Sequence, residues 1–332
     1  MAPAVLLIGN LVHATEEWKA LGSKYTLLEL RQYSKDKFLE NCRNGTYDSV
    51  VGCFRNSHEK FDAEILDALP KDWKFIAHHG AGYDNIDIDA CTRRKVAVSH
   101  TPHAVDNATA DTGLFLLLGA LRSAHMSTTS LRAGKWLGNT PKGHDPKGKT
   151  LGILGMGGIG RAMAHRARAF GMNIIYHNRR QLDASLEQGA KYVSFDELLA
   201  TSDVLSLNLA LNASTRHIIG ASELAKLKKG AVVVNTARGA LIDEAALVEA
   251  LESGHVSAVG LDVFENEPEI HPGLIKNDRA FLLPHVGTHT VETRYEMEML
   301  ALRNLEAAVD EGSMLTLVAE QKGLDWVPKA KL

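Results

Sequence analysis

A glycine-rich loop between an apolar segment and a helical segment is the feature that most constrains this chain. Residues 150–154 read Thr-Leu-Gly-Ile-Leu, a buried-strand pattern, and Gly-Met-Gly-Gly-Ile-Gly then leads into the helical periodicity of 161–170. Gly155 can form a tight turn, Gly157 lets the backbone approach a pyrophosphate, and Gly160 lets the helix pack on the strand. The start of such a helix directs N–H groups at phosphates. The loop therefore predicts a dinucleotide site formed by Gly155, Gly157, Gly158, Ile159 and Gly160.

The tip of the next apolar segment indicates which dinucleotide binds. Residues 173–176 form a second strand pattern, and the four residues after them are His-Asn-Arg-Arg. An NAD-preferring site is expected to carry Asp or Glu here, on the ribose 2′-hydroxyl. Guanidinium groups instead hold a 2′-phosphate through charge-assisted bonds. Asn178, Arg179 and Arg180 therefore predict NADP(H), with NAD(H) as the second option; solvated arginines at a helix start are the alternative interpretation.

Composition excludes several classes of protein. The chain has 332 residues, 45% of them hydrophobic, and a net charge of −3, which gives no electrostatic case for nucleic acid or an anionic membrane. The longest apolar run, 113–121, is too short to span a bilayer. Three cysteines without CxxC spacing fit a reducing, cytoplasmic compartment, and no metal-binding pattern is present. The ending Ala330-Lys331-Leu332 resembles a peroxisomal address, so peroxisomal import is the alternative expectation.

Strand and helix patterns alternate along two successive stretches. The first stretch has apolar strand patterns at 5–8, 26–30, 49–54, 75–78 and 96–99, and the second begins at 150. This predicts an α/β protein with two doubly wound parallel sheets, one a Rossmann dinucleotide-binding domain and one a flavodoxin-like substrate domain. Two long helical runs, 108–125 and 290–310, flank the second stretch. We therefore assign 1–103 and 299–332 to the substrate domain and 104–298 to the dinucleotide domain, with the substrate expected between them.

Three ionisable residues follow strand patterns of the second stretch. Arg238, Glu267 and His285 each lie just past an apolar run, at the sheet edge where ligands bind in α/β proteins. Hydride transfer to a 2-keto acid needs a proton donor and a cation that holds the carboxylate and polarises the carbonyl. A histidine with an adjacent carboxylate fits the first need, and an arginine fits the second. His285 is therefore the predicted acid/base, Glu267 its partner and Arg238 the substrate clamp.

Six motifs together make the chain similar to the D-2-hydroxyacid dehydrogenase family over nearly its whole length. They occupy residues 78–87, 107–112, 155–160, 235–243, 260–268 and 282–287. The resemblance implies a split substrate domain, a homodimer and D-specific reduction of a 2-keto acid. It places the family's Arg, Glu and His on Arg238, Glu267 and His285, and its substrate-carboxylate loop on Gly80, Ala81 and Gly82. It also implies nicotinamide-side contacts at Thr109, Ala237 and Asp262.

The arginine pair narrows the resemblance to NADPH-dependent glyoxylate/hydroxypyruvate reductases. Bulkier branched or aromatic 2-keto acids, as in a D-mandelate-type dehydrogenase, remain an alternative, because sequence does not reveal pocket size. Oxidation of 3-phosphoglycerate with NAD would call for an acid at Asn178. A dinucleotide-sensing corepressor is the alternative from another class, and it too would be expected to use NAD. His78 and His79 are interpreted as structural side chains, with a position on the substrate side of the cleft as the alternative.

Overall fold

The computed structural model describes residues 2–327, and the chain divides into two compact units. The first comprises Met1–Val105 with Thr290–Leu332, and the second comprises Asp106–His289. The breaks expected from sequence, after residues 103 and 298, differ from these by two and nine residues. Ala330, Lys331 and Leu332, on which the peroxisomal expectation rests, lie outside the described residues.

The first unit has a five-stranded parallel sheet. Its strands are β1 (Ala4–Gly9), β2 (Thr26–Leu30), β3 (Val50–Asn56), β4 (Phe75–His78) and β5 (Ala97–Ser99). The helices between them are α1 (Thr15–Ala20), α2 (Lys35–Arg43), α3 (Ala63–Ala68) and α4 (Ile88–Arg93). The order β2-β1-β3-β4-β5 is that of flavodoxin-like sheets. All six residues of β1 are buried, as expected for a strand covered on both faces.

The second unit has a seven-stranded parallel sheet. Its strands are β6 (Thr150–Leu154), β7 (Asn173–His177), β8 (Lys191–Tyr192), β9 (Val204–Leu207), β10 (Ala231–Asn235), β11 (Val256–Leu261) and β12 (Ala280–Leu282). Its helices are α5 (Asp106–Leu121), α6 (Ala124–Arg132), α7 (Gly158–Ala169), α8 (Ala184–Glu187), α9 (Phe195–Thr201), α10 (Ala221–Lys226), α11 (Glu244–Glu252) and α12 (Pro272–Ile275). The order β12-β11-β10-β9-β6-β7-β8 reverses direction beside β6, the strand that leads into the glycine loop. This is the Rossmann arrangement, so the predicted fold class is confirmed.

The long helix α13 (Val291–Glu311) returns the chain to the first unit. The Thr290 side chain caps its start by accepting from the Thr293 amide. Further along it, the buried Glu298 carboxylate accepts hydrogen bonds from the amides of Val12, His13 and Ala14 after β1. The described residues contain no helix that is both long and apolar enough to cross a membrane.

Candidate active site

The glycine loop has a shape that suits a phosphate group. Gly155 has φ +98°, and a Cβ there would lie 2.7 Å from the Asn208 carbonyl oxygen, so only glycine fits this turn. At Gly160 a Cβ would lie 2.4 Å from the Gly155 oxygen, which reflects the close contact between α7 and β6. At Gly157 a Cβ would meet nothing within 4 Å. The loop therefore leaves open space beside the first turn of α7, which fits the pyrophosphate of a dinucleotide.

The end of β7 carries two exposed arginines. Arg179 and Arg180 form no hydrogen bond or ion pair with any other residue in the described range 2–327. Asn178, in contrast, uses its side-chain oxygen to accept the Met156 amide at 2.7 Å, which ties the strand tip to the glycine loop. The position of Asn178 after β7 predicts only a ligand contact, and this internal bond is evident only in the folded chain.

His285 and Glu267 form the central pair of the site. His285 Nδ1 lies 2.8 Å from Glu267 Oε2, and both side chains are about one-third exposed. The second carboxylate oxygen, Oε1, accepts the Phe264 amide at 2.9 Å, which fixes the carboxylate plane. His285 has a left-handed φ of +55°, an unusual backbone conformation for a residue with a side chain. The pair is therefore oriented by the backbone on both sides.

The surroundings of Glu267 favour its charged form. Burial by itself would raise the pKa of the Glu267 carboxyl. The hydrogen bond and charge of His285, the Phe264 amide and the charge of Arg238 act in the opposite direction and outweigh burial, so the pKa lies below its ordinary value. Glu267 is consequently a charged carboxylate, which can only accept a hydrogen bond from the imidazole.

Arg238 follows β10 in a turn held by a side chain that sequence reasoning missed. The buried Asn235 donates from Nδ2 to the Arg238 carbonyl at 2.8 Å and accepts the Ala237 amide at 3.0 Å. The next residue, Gly239, lies directly against the backbone after β11, where a Cβ would be only 1.9 Å from the Phe264 carbonyl carbon. This contact brings the Arg238 turn beside the segment that carries Glu267. A polar residue at a strand end followed by Arg-Gly was the available signal for Asn235.

Asp262 organises the loop that carries His285. Its carboxylate accepts the amides of Val286 and Gly287, each at 2.7 Å, and its carbonyl accepts the His285 amide at 2.8 Å. Burial raises the pKa of Asp262, although the two amide bonds oppose this shift. Thr109 on α5 is buried and lies near the same turn: a Cβ at Gly287 would be 3.6 Å from the Thr109 methyl group. Contacts of Thr109, Ala237 and Asp262 with nicotinamide stay predictions.

The predicted substrate-carboxylate loop belongs to the first unit and follows β4. The carbonyls of Gly80, Ala81 and Gly82 accept, in turn, the Thr101 amide at 2.9 Å, His100 Nδ1 at 2.8 Å and His78 Nε2 at 3.1 Å. Gly80 has no left-handed φ; glycine is needed there because a Cβ would lie 2.6 Å from His78 Nε2. The requirement for glycine at position 80 is thus one of space and not of backbone conformation.

The second unit as a whole defines a class of enzyme. A glycine loop at the reversal point of a parallel sheet is combined with a His–Glu pair and an arginine turn at the ends of other strands of that sheet. These features are those of a nicotinamide-dinucleotide oxidoreductase.

Comparisons with known proteins identify the family within this class. Residues 114–287 match the family model described as "D-isomer specific 2-hydroxyacid dehydrogenase, NAD binding domain". The chain is 59% identical to 4-methyl-2-oxopentanoate reductase A of Aspergillus oryzae, over 97% of this chain and 99% of that protein. It therefore belongs to the D-isomer specific 2-hydroxyacid dehydrogenases and is an NAD(P)-dependent oxidoreductase.

Solved structures agree with this assignment. A glyoxylate reductase from Paecilomyes thermophila superposes with a TM-score of 0.95 at 63% identity, covering 97% of this chain and 99% of that one. An NADPH-dependent glyoxylate/hydroxypyruvate reductase from Sinorhizobium meliloti, solved with NADP and malonate, gives a TM-score of 0.84 at 31% identity and covers 96% and 98% of the two chains.

Proposed function

We propose that the protein reduces small 2-keto acids to D-2-hydroxy acids with NADPH, with glyoxylate and hydroxypyruvate as the substrates. The observation that carries the proposal is the 2.8 Å bond between His285 and Glu267 in the unit that bears the glycine loop. The bound nicotinamide supplies the hydride that reaches the carbonyl carbon. The protein's own residues supply the proton, hold the substrate and select the dinucleotide.

His285 is the proton donor in this proposal. Because its Nδ1 is bonded to Glu267, the proton that reaches the substrate oxygen leaves from Nε2. The charged Glu267 stabilises the imidazolium before transfer and holds the ring in one orientation afterwards. In the oxidative direction the same Nε2 accepts the hydroxyl proton of the hydroxy acid.

Arg238 and the loop of Gly80, Ala81 and Gly82 bind the substrate in the proposal. Arg238 offers a permanently charged fork for the carboxylate and the polarised carbonyl oxygen. The loop offers backbone N–H groups, which suit the planar oxygen pair of a carboxylate.

The choice of NADPH rests on Arg179 and Arg180. Both guanidinium groups are exposed, and neither is engaged by another residue of the described range, so both are available for a 2′-phosphate. No carboxylate lies between His177 and Leu182 to repel that group. The Sinorhizobium meliloti reductase, which was solved with NADP bound, supports the same choice. NAD(H) is the alternative.

Substrate size separates two versions of the function. The Paecilomyes thermophila relative is a reductase of glyoxylate, a two-carbon acid, whereas the Aspergillus oryzae relative is named for a branched 2-keto acid. We therefore keep a broad or bulky-substrate dehydrogenase as the second candidate.

The first experiment follows cofactor oxidation by absorbance. NADPH and NADH are each combined with glyoxylate, hydroxypyruvate, 4-methyl-2-oxopentanoate and phenylglyoxylate. Higher kcat/KM for the two small acids with NADPH supports the proposal, and higher kcat/KM for the two bulky acids supports the second candidate. Absence of turnover with every pair overturns both. His285→Asn should abolish turnover while NADPH binding is retained; a variant near wild-type rates would refute the role of His285.

Cofactor choice is tested with an isosteric variant. Asn178→Asp keeps an oxygen for the Met156 amide but adds a negative charge. It should therefore weaken the binding of NADPH, which carries a 2′-phosphate, and leave the binding of NADH unchanged. Arg179→Gln and Arg180→Gln each remove one charge-assisted bond, worth about 1.5–3 kcal/mol, so the KM for NADPH should rise about 10-fold to 100-fold. Unchanged KM values for NADPH in all three variants would remove the basis for NADP selectivity.

A homodimer is the proposed assembly, supported by exposed apolar side chains on α6 and just after it. Leu131, Trp136 and Leu137 are 57%, 80% and 63% exposed. Exposed large apolar side chains that lie close together along the chain are typical of an interaction surface. Trp136→Asp with Leu137→Asp should halve the mass measured by sedimentation, whereas Ile275→Asp, at an exposed apolar residue elsewhere, should not. A wild-type monomer would refute the proposal.

The cytoplasmic location, with peroxisomal import as the alternative, also stays a prediction. A fluorescent fusion that leaves Ala330-Lys331-Leu332 free at the C-terminus tests it, with the same fusion lacking these residues as its control.

A further inference from the structure

Arg55, at the end of β3, is a fully buried cation. Its Nη1 donates to His78 Nδ1 at 3.2 Å, its Nη2 donates to the Glu59 carbonyl, and its guanidinium lies 5.0 Å from the centre of the Phe61 ring. Desolvation lowers the pKa of Arg55 to about 10, which leaves it charged at neutral pH. Arg55 forms no ion pair with a carboxylate in residues 2–327. Burying a charge without a carboxylate partner costs free energy, which points to a functional role for Arg55.

The contact with Arg55 fixes the state of the His78 ring. An arginine can only donate, so Nδ1 must accept, and the proton of the neutral ring therefore lies on Nε2. Nε2 in turn lies 3.1 Å from the Gly82 carbonyl oxygen, which can only accept. One tautomer satisfies both contacts. A guanidinium–imidazole–carbonyl chain of this kind is also polarised along its length, because the buried charge strengthens each following bond.

The three carbonyl contacts determine where the loop amides point. In a trans peptide the C=O and N–H bonds point in opposite directions. Bonds to the carbonyls of Gly80, Ala81 and Gly82 therefore direct the N–H groups of Ala81, Gly82 and Tyr83 away from those donors. These three amides donate to no acceptor in the described part of the chain. Consecutive N–H groups without an internal acceptor can together form an anion-binding concavity.

We propose that Arg55 and His78 are positioning residues that hold the Gly82–Tyr83 peptide so that this loop can bind a carboxylate anion. The inference rests on the proposed function in taking the bound carboxylate to be that of the substrate. What it adds is the series of hydrogen bonds from Arg55 through His78 to the Gly82 carbonyl. Arg55 and His78 thus act through the loop and do not touch the reacting atoms. Losing His78 should weaken the binding of keto acid and leave the binding of dinucleotide as it is.

The test compares matched histidine variants at pH 7.5. His78→Leu removes both bonds, whereas His78→Gln keeps an amide donor for the Gly82 carbonyl. His79→Leu is the control, because His79 is equally buried but its Nε2 has no hydrogen-bond partner in residues 2–327. The readouts are the KM for glyoxylate, the inhibition constant of oxalate, the kcat and the Kd of NADPH. Oxalate is the probe because it has two carboxylates and no reducible carbonyl.

His78→Leu should raise the KM for glyoxylate and the inhibition constant of oxalate about tenfold or more, since a poorly placed amide loses most of its hydrogen bond. The Kd of NADPH should stay within about twofold, His78→Gln should recover part of the loss, and His79→Leu should match wild type. A purely structural role would instead lower the active fraction, and thus kcat, with KM unchanged. That result, or an equal rise in the Kd of NADPH, would overturn the inference.

Two further arms keep the outcomes separate. If His78→Leu does not fold, Arg55→Lys should produce the same rise in KM, because lysine has one donor nitrogen in place of the two that bond His78 and Glu59. An unchanged KM would overturn the inference. If the wild-type protein reduces no 2-keto acid, the proposed function fails, and calorimetry with oxalate decides the inference alone. Tenfold weaker oxalate binding by His78→Leu would then support it, and absence of oxalate binding by the wild type would refute it.

Discussion

Replacing Gly239 by alanine tests whether a backbone contact assembles the site. The added Cβ would lie 1.9 Å from the Phe264 carbonyl carbon and 2.3 Å from the Glu265 nitrogen, and both are backbone atoms that cannot rotate away. Ordinary contact begins near 3.4 Å, so the Arg238 turn must retreat from the Glu267 segment by the difference, about 1.5 Å. A misplacement of about 1 Å can cost about 100-fold in rate.

We therefore expect Gly239→Ala to lower kcat/KM for the keto acid at least about 100-fold, equivalent to about 2.7 kcal/mol of transition-state stabilisation. Overpacking should also lower the free energy of unfolding by about 1–3 kcal/mol. Steady-state cofactor oxidation, thermal unfolding and the Kd of NADPH are measured together. Gly22→Ala is the control, because its Cβ would meet Leu27 at an ordinary 3.4 Å. A folded Gly239→Ala protein with kcat/KM within threefold of wild type would refute the reasoning.

Three further results are expected. Because the pKa of Glu267 is lowered, its charge persists below the ordinary carboxyl pKa and is lost only as pH falls through the lowered value. Glu267→Gln should therefore reduce kcat about 100-fold or more across pH 5–9, and a pH–rate profile that matched wild type would contradict this. Desolvation lowers the pKa of His79 to about 3, so below pH 6.5 the unfolded chain binds a proton that the folded chain does not, and stability falls. His79→Leu should remove about 1.4 kcal/mol of this loss between pH 7.5 and 5.5, and unfolding curves with equal pH dependence would count against it. Asn235→Ala leaves the Ala237 amide unpaired and removes one of the two hydrogen bonds to the Arg238 carbonyl, which keeps the Leu241 amide at 3.2 Å. Calorimetry should therefore record about 1–3 kcal/mol of destabilisation with a fall in kcat/KM, whereas a neutral effect would remove Asn235 from the site.

The sequence predicted the parts of the fold that depend on local pattern and on parallel-sheet geometry. Continuous apolar runs predict strands buried on both faces, and the glycine loop determines where the strand order reverses. Because the carboxyl ends of parallel strands lie at one edge of the sheet, the sequence alone was enough to group Arg238, Glu267 and His285. The two-residue β8 was missed, since so short a strand has no period to detect.

Other features depend on contacts that spacing does not encode. Ser123 adopts a left-handed φ of +50° and separates α5 from α6, whereas the predicted helix ran on to 125. The serine- and threonine-rich α6 has weak helix propensity, so its residues after 125 were not recognised as helical. Likewise the bonds from Asn235 to its turn, and from His78 to Gly82, join residues whose pairing follows only from the folded chain.

The backbone of His285 is as much a part of the site as its imidazole. A left-handed conformation at a residue with a side chain costs of order 1–3 kcal/mol, so it persists only where neighbouring bonds impose it. Asp262 supplies those bonds, because its carbonyl holds the His285 amide and its carboxylate holds the next two amides. Two acids thus act on one histidine by different routes. Glu267 orients the ring through Nδ1, and Asp262 orients the main chain from which the ring projects, which explains why a strained residue stands where the proposed proton transfer needs a fixed Nε2.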